Sequence, residues 1–287
     1  MAATTIEWTG TVVEDGHILP GFTFNPWMGC THASIGCTNC YAETLMDDRY
    51  GKVKWGPNGA RVRTADANWR KPISWNKSAA KDAVRRKVFC ASLADIFEDW
   101  GGSIVRADGE VLYDVGDGEY RSAAEVNRRA FPGFNPDDAD FRVTMNDLRT
   151  DLFHLIDSTP HLDWLLLTKR PENVSRMWPR YSLDLREKPN DFRPNVWIGT
   201  SVSDQETADK AVPELLKCRD LSPVLFLSAE PLVGPVDFSR WLGLLRYAED
   251  AVIRAMPHGM TIPDPRSGST VKTYPALLDW IIAGGES

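Results

Sequence analysis

The chain has 287 residues, of which 43% are hydrophobic and 25% are charged, and its formal net charge is −7 at pH 7. This composition indicates a globular protein with enough chain for a full core, as one domain of barrel size or as two smaller ones. The negative charge argues against a protein that coats nucleic acid through general electrostatics. The sequence shows neither an N-terminal apolar signal segment nor an apolar run long enough to cross a membrane, so we expect a cytoplasmic protein without membrane contact.

The N-terminal residues 4–19 are expected to form a short strand pair with its turn at Asp15-Gly16. Such a pair would cap the floor of a barrel, ahead of the first core strand in residues 22–27. That strand runs directly into a loop that carries three of the five cysteines.

This loop, within PGFTFNPWMGCTHASIGCTNCYAE at 20–43, places Cys30, Cys37 and Cys40 between an apolar run and a helix-like segment. Three thiols at C-x6-C-x2-C spacing predict one metal site. An iron–sulfur cluster held by three thiolates keeps one iron free for an outside ligand, whereas structural zinc needs a fourth donor, which His32 could supply. A cluster, a Cys3His zinc site and three unligated reduced cysteines are therefore the alternatives.

The other two cysteines, Cys90 and Cys218, are isolated in the sequence and are predicted to pack in the core. This distribution suits a reducing compartment with metal chemistry better than a disulfide framework. Between the two groups, the segment 51–76 interleaves basic and aromatic side chains, namely Arg61, Arg63, Arg70 and Lys71 with Trp55, Trp69 and Trp75. It could stack on and neutralise a nucleic acid strand, or its basic side chains could lie over partly buried tryptophans.

Short apolar stretches that end in polar residues recur along the chain, at 22–27, 87–95, 164–170, 196–204, 224–232 and 280–287. Their continuous apolar character indicates strands covered on both faces, as in a parallel sheet. Helices are predicted between them, at 77–87, from Thr144 to about residue 157, and from a Ser203-Asp-Gln-Glu206 capping box to about residue 218. The alternation predicts an α/β fold, with functional groups at the carboxyl ends of the strands.

Residues 101–142 interrupt this pattern. They contain a predicted hairpin with Asp108-Gly109 at its turn, followed by a loop rich in Pro and Asp. We interpret the segment as an insertion into a single domain of residues 1–287. It could be a substrate lid or a surface decoration.

Polar residues are concentrated at the predicted strand ends. Glu230 and Glu286 each follow a strand immediately, where a carboxylate could bind an ammonium group or accept a substrate proton. The alternative for Glu230 is an ion pair with Lys169 or Arg170 that holds the barrel mouth. The Gly199-Thr200-Ser201 run and the Gly284-Gly285 pair are weak signals of close approach to a ligand.

Six motifs occur in order along the chain: IEWT, NPWMGCTHASIGCTNCYAE, LLLTKRPENV, WIGTSVSD, LSAEPL and WIIAGGES. In these motifs the chain resembles the phage-associated three-cysteine-motif proteins, a group similar to radical S-adenosylmethionine enzymes. The resemblance covers most of the chain. It implies a partial (β/α)6 TIM-like barrel in which Cys30, Cys37 and Cys40 bind three irons of a [4Fe-4S] cluster. The fourth iron would bind S-adenosyl-L-methionine, and relatives continue beyond a sixth strand, so we expect a sequence truncated after Ser287.

The resemblance also implies an activity. An external electron donor would drive cleavage of the cofactor to a 5'-deoxyadenosyl radical, which abstracts hydrogen from a substrate, here a nucleic acid or nucleoside. Relatives of that type carry Gly-Gly-Glu after the second strand, where this chain has Ser92-Leu-Ala-Asp95. The predicted cofactor-binding residues are Ser92, Asp95, Gly199, Thr200, Ser201 and Tyr41, and the predicted catalytic residues are Glu230, Lys169 and Glu286. The rival hypothesis is a metal-stabilised nucleic-acid-binding or phage–host interaction protein without catalysis.

Overall fold

The computed structural model of the protein describes residues 4, 6–113, 143–180, 191–239, 241–242, 262–263, 270–271 and 278–283. The strands, numbered in chain order, are β1 (Thr11–Val12), β2 (Ile18–Leu19), β3 (Phe22–Thr23), β4 (Trp27–Met28), β5 (Arg61–Arg63), β6 (Arg86–Cys90), β7 (Ile104–Arg106), β8 (Val111–Tyr113), β9 (Leu162–Thr168), β10 (Val196–Ser201), β11 (Val224–Ala229), β12 (Ile262–Pro263), β13 (Thr270–Val271) and β14 (Trp280–Ala283). The α-helices are α1 (Tyr41–Glu43), α2 (Asp66–Trp69), α3 (Lys71–Asp82), α4 (Met145–Asp157), α5 (Pro171–Met177) and α6 (Gln205–Leu216). None of the helices in these ranges has both the length and the apolar character needed to cross a membrane.

Six strands form one parallel sheet in the order β3-β6-β9-β10-β11-β14. The order in the sheet is also the order along the chain, so each connection leads to the next neighbouring strand. The sheet is curled into a half-barrel. The predicted α/β fold with six parallel strands is thereby confirmed, and all carboxyl ends lie on one edge.

The two faces of this sheet are buried by different partners. Trp164 and Leu166 of β9 face the side that is covered by helices, where they share a core with Leu148 and Leu152 of α4. Leu165, between them, faces the opposite side and packs in a cluster with residues of β11 and β14. Because successive strand residues point to opposite faces, burial of both faces requires apolar residues throughout, which explains the unbroken apolar runs.

The N-terminal segment closes the amino end of the sheet. β1 and β2 pair antiparallel, and Gly16 has the positive φ of +81° that their turn requires. The ring of Trp8 packs edge-on against Phe89 with 4.9 Å between centroids. Lys87 Nζ donates a hydrogen bond to the carbonyl oxygen of Gly10 at 2.7 Å. The predicted strand pair is therefore confirmed, and it lies at the amino end of the sheet.

A second, four-stranded sheet has the order β4-β5-β7-β8. Its β7–β8 hairpin turns at Gly109, whose φ is +90°, so the predicted hairpin is confirmed. The hairpin is more than a decoration of the first sheet, because β7 pairs in parallel with β5 and β5 pairs with β4, the strand that leads into the cysteine loop. Residues 114–142 of the predicted insertion lie outside the described residues, and the interpretation as a lid stays a prediction.

Two predicted helix boundaries need correction. The helix predicted at 77–87 is α3, which ends at Asp82, because Ala83 adopts a left-handed conformation with φ of +51°. The helix predicted to start from Ser203 has Asp204 as its N-cap. The Asp204 carboxylate accepts from the backbone N–H of Thr207 at 2.8 Å, and the Thr207 hydroxyl accepts from Asp204 N at 3.0 Å. The capping box is real but lies one residue later.

Candidate functional site

A cavity of about 860 Å³ lies at the carboxyl ends of the parallel strands, between the sheet and the cysteine loop. Small-molecule and cofactor sites commonly have volumes of roughly 300–1,000 Å³. The strand pattern predicts that the loop and the strand ends meet, and the structure brings them together. The wall includes eight of the predicted site residues, Cys30, Cys37, Cys40, Tyr41, Ser92, Asp95, Lys169 and Glu230.

Two glycines let the cysteine loop lie close to the rest of the molecule. Gly29 has a φ of +105°, and a Cβ atom there would come within 3.2 Å of a backbone carbonyl oxygen. Its N–H donates to the carbonyl oxygen of Leu93 at 3.0 Å, which places Cys30 beside the loop that follows β6. A Cβ atom at Gly36 would lie 2.0 Å from Ser203 Oγ. The loop therefore contacts the segments that follow two strands of the parallel sheet, β6 and β10.

The three thiols of the loop have different surroundings. Cys37 is buried, whereas Cys30 and Cys40 are half-buried. The backbone N–H of Ala33 donates to Cys37 Sγ at 3.4 Å, and Arg170 Nη1 donates to Cys30 Sγ at 3.5 Å. Hydrogen bonds to sulfur are one of the factors by which proteins tune thiolate-ligated clusters.

Protonation of Cys30 is favoured by its environment. Burial raises the pKa of its thiol to about 12, and the carboxylates of Asp95 and Glu98 add to the rise, while Arg170 opposes it. A metal ion deprotonates a thiol that coordinates it. We therefore expect Cys30 to become a thiolate together with metal binding and not before.

The thiols do not form a preassembled metal cage. Among the described residues, no group of three or more His, Cys, Asp or Glu side chains is placed to hold a metal ion. The donor chemistry, three thiols on one cavity wall, fits an iron–sulfur cluster or zinc, provided that the loop draws the sulfur atoms together on binding. His32, the alternative fourth zinc donor, has its Nε2 2.6 Å from Glu43 Oε2, so its Nδ1 is the nitrogen left for a metal.

Asp95 holds the neighbouring strand ends together. Its Oδ1 accepts from Thr168 Oγ1 at 2.7 Å and from Phe97 N at 3.0 Å. Its Oδ2 accepts from Lys169 N at 3.0 Å and from Arg170 Nη1 at 2.9 Å. A ligand ammonium group at Asp95 would have to compete with these four donors.

Ser92 and Tyr41 also belong to the cavity wall. Ser92 exchanges hydrogen bonds with the side-chain amide of Asn25, at 3.1 and 3.4 Å. Tyr41 is 62% exposed, so its ring is accessible to a ligand that enters the cavity. Of these two predicted cofactor-binding residues, Tyr41 has the side chain with more freedom to make a new contact.

Lys169 and Glu230 are charged groups of the cavity wall that form no ion pair within the described part of the chain. The Glu230 carboxylate receives a hydrogen bond of 3.4 Å from Ser228 Oγ. The alternative prediction, an ion pair of Glu230 with Lys169 or Arg170, is wrong, because Arg170 pairs with Asp95 at 2.9 Å. Lys169 and Glu230 are therefore available to a ligand.

The Gly199-Thr200-Ser201 run is not brought to the cavity wall. A Cβ atom at Gly199 would lie 2.4 Å from the ring of Phe226, so this glycine makes room for an aromatic side chain. The buried Thr200 hydroxyl donates to a carbonyl oxygen of β9 at 2.9 Å, and Ser201 Oγ donates to the carbonyl oxygen of Glu230 at 2.9 Å. These residues serve the packing of the sheet in this structure.

The predicted catalytic Glu286 and the preceding Gly284-Gly285 pair lie outside the described residues. Their placement in the cavity stays a prediction. The strand that leads to them, β14, lies beside β11, whose carboxyl end carries Glu230.

The prediction of a basic groove in 51–76 is wrong for its central arginines. Arg61 is 0% exposed and Arg63 is 8% exposed. The Arg61 guanidinium lies 3.6 Å from the ring centroid of Trp100, and Arg63 pairs with Asp66 at 2.7 Å. Arg63 fits the alternative interpretation of this segment, basic side chains packed around tryptophans, since its guanidinium lies 4.8 Å from the ring centroid of Trp69.

Thr31 and Glu98 are site residues that the sequence analysis missed. Glu98 is 2% exposed and binds Arg61 through two hydrogen bonds of 2.7 and 2.8 Å. Its Oε1 also accepts from Thr31 N at 2.8 Å and from Thr31 Oγ1 at 2.7 Å. The signal in the sequence is a glutamate that directly follows the apolar Ile96-Phe97, since a carboxylate in such a run needs a buried partner.

Comparison with known proteins gives one family. A family model described as "Protein of unknown function (DUF5131)" matches residues 3–103 and 124–287. No curated protein and no solved structure is significantly similar to the chain.

Proposed function

The chain belongs to the DUF5131 family, whose description assigns no function, and we propose that it is an iron–sulfur enzyme of the radical S-adenosylmethionine type. In this proposal the half-barrel is a partial TIM-like barrel, and Cys30, Cys37 and Cys40 hold a 4Fe-4S cluster. S-adenosylmethionine binds in the adjoining cavity, electrons come from an external donor, and the substrate is a nucleic acid or nucleoside. The protein would be phage-associated and would act in the cytoplasm of the host.

One observation carries the proposal: all three loop cysteines line a single cavity at the carboxyl ends of the parallel strands. The remaining cysteines, Cys90 and Cys218, are fully buried in the core. A centre in this cavity would thus receive three thiolates and keep a coordination position open toward about 860 Å³ of space. That arrangement fits a centre that binds a small molecule better than a closed structural zinc site, which needs four protein donors.

When bound, such a cluster supplies an electron that cleaves S-adenosylmethionine and yields a 5'-deoxyadenosyl radical for hydrogen abstraction. The chain's own residues would bind S-adenosylmethionine and orient it in the cavity. Lys169 and Glu230, which have no ion-pair partners within the described residues, offer a cation and an anion for a ligand's carboxylate and ammonium groups. Phe89 and Leu167 give the wall apolar surface that excludes water.

Anaerobic reconstitution with iron and sulfide tests the proposal. We expect about four irons and four sulfides per chain, and release of 5'-deoxyadenosine after addition of a reductant and S-adenosylmethionine. Cys37→Ala should lose the cluster, because it removes a ligand. The matched control is Cys218→Ala, which changes a buried cysteine away from the cavity and should retain the cluster. A fully loaded wild-type protein that releases no 5'-deoxyadenosine would contradict the proposal.

Metal analysis of the protein as purified distinguishes the proposed function from the rival hypothesis. One zinc per chain, without iron or sulfide, would favour a metal-stabilised binding protein without catalysis. In that case Cys30→Ala should unfold the protein, since the folding free energy of a structural zinc site comes largely from the metal.

A further inference from the structure

Arg170 connects the cysteine loop to the end of β9. We propose that Arg170 is a positioning residue, which fixes the backbone beside Cys30 and gives the sulfur of Cys30 a cationic hydrogen-bond donor that the other two loop cysteines lack within the described part of the chain. The inference deepens the proposed function, on which it rests, because it assigns the three cysteines unequal roles at the centre.

The Arg170 side chain is 12% exposed, and its guanidinium makes contacts in three directions. Nη1 donates to Asp95 Oδ2 at 2.9 Å and to Cys30 Sγ at 3.5 Å. Nη2 donates to both the carbonyl oxygen and the hydroxyl of Thr31, each at 2.8 Å. The planar fork of arginine suits such a set, whereas the ammonium group of lysine lacks its fixed geometry.

Thr31 is held from both sides. Its backbone N–H and hydroxyl donate to Glu98 Oε1, while its carbonyl and hydroxyl oxygens accept from Arg170. Every polar group of the residue after Cys30 is therefore bonded to a buried or nearly buried charged side chain. This arrangement anchors the backbone next to the first cysteine without any bound cluster.

The cation also has an electrostatic consequence. A cluster gains negative charge when it is reduced, so a guanidinium next to one of its sulfur ligands stabilises the reduced form. The sulfurs of Cys37 and Cys40 have no charged side-chain donor among their hydrogen bonds within the described residues. Loss of Arg170 should therefore make the reduction potential more negative, an effect that a purely structural residue would not produce.

The test compares Arg170→Gln with Arg176→Gln, a matched control in which an exposed arginine loses its ion pair with Asp99. Amide hydrogen exchange is measured by mass spectrometry on a peptide that covers residues 29–40. In Arg170→Gln we expect exchange to be about tenfold faster or more, because charge-assisted hydrogen bonds that hold the loop are lost. Arg176→Gln should match the wild type. Unchanged exchange in Arg170→Gln would overturn the proposal.

The second readout is the midpoint potential of the reconstituted cluster. We expect a more negative potential in Arg170→Gln, and a smaller shift in Arg170→Lys, which keeps the charge but loses the fork. An unchanged potential in loaded Arg170→Gln would also overturn the proposal. Wild-type protein that takes up no cluster would instead refute the proposed function, and the exchange experiment would still decide whether Arg170 holds the loop.

Arg170→Gln leaves Asp95 without its cationic partner and could prevent folding. The double variant Asp95→Asn/Arg170→Gln removes both charges and gives the same readouts. Faster exchange of residues 29–40 in that variant supports the proposal, and wild-type exchange contradicts it.

Discussion

Two buried carboxylates lie at or beside the cavity wall, and each has an arginine partner. Asp95 is 5% exposed and Glu98 is 2% exposed, and each carboxylate binds an arginine. Removal of one member would leave an uncompensated charge in a low-dielectric environment. At the scale of single residues, the site therefore depends on carboxylate–arginine ion pairs. A sequence motif contains one member of such a pair and does not identify its partner.

Asp151 of α4 is a half-buried carboxylate of a different kind. Burial raises its pKa to about 6, opposed by Arg63 and His154 and assisted by Asp147. The folded state therefore binds more protons than the unfolded state between about pH 4 and 6, so this contribution to stability is present below that window and is lost as pH rises through it. Asp151→Asn should raise the free energy of unfolding at pH 7 by about 1–2 kcal/mol.

Urea denaturation at pH 4 and pH 7 measures this effect. The stabilisation by Asp151→Asn should be present at pH 7 and should vanish toward pH 4, where the wild-type carboxyl is also neutral. Asp48→Asn, at an exposed position, is the control and should change stability little at either pH. Equal effects of Asp151→Asn at both pH values would show that burial of the charge is not the cause.

At the scale of elements, local chemistry decided where helices begin. α4 begins after Thr144, as predicted from the sequence, and Thr144 and Asp147 form a capping box there. For α6 the predicted N-cap is Ser203, whereas in the structure the N-cap is Asp204, which forms a capping box with Thr207, and Ser203 is buried against Gly36 of the cysteine loop.

The N-cap of α4 gives a prediction at this scale. Thr144→Ala should lower the free energy of unfolding by about 1 kcal/mol, because the backbone N–H of Asp147 loses its side-chain acceptor. Thr144→Ser keeps the hydroxyl and should stay close to the wild type. Thermal or urea denaturation of the wild type and the two variants checks this order of stability. Equal loss in the Ser and Ala variants would mean that the methyl group, and not the cap, contributes the stability.

At the scale of the whole molecule, the sheet was predictable and the contacts between its parts were not. Strands covered on both faces leave continuous apolar runs, so the six parallel strands and the meeting of their ends with the cysteine loop follow from the sequence. The roles of Arg61 and Arg170 do not follow, since the partners of both arginines lie far away in the chain. Exposure of a basic residue cannot be judged without knowing whether a carboxylate is folded against it.

Glu98 is the point at which the two sheets and the cysteine loop are joined. It binds Arg61 of β5 at 2.7 Å and Thr31 of the loop at 2.7 and 2.8 Å. Glu98→Ala should lower the free energy of unfolding by about 3–5 kcal/mol, because Arg61 stays fully buried without a counter-charge. The double variant Arg61→Met/Glu98→Met replaces the pair by apolar side chains and should lose less than half as much.

Urea denaturation of the two variants and the wild type measures two effects on the free energy of unfolding. One is the destabilisation by an unpaired buried charge, and the other is the net contribution of the ion pair. If the double variant is as unstable as Glu98→Ala, the ion pair itself holds the sheets together. If it recovers most of the stability, packing between the sheets suffices, and the buried pair mainly serves to fix Thr31 beside Cys30. We expect the second result, because apolar replacement of buried ion pairs is often neutral for stability. The double variant should still release Thr31, because the two Met side chains offer no acceptor to the Thr31 N–H.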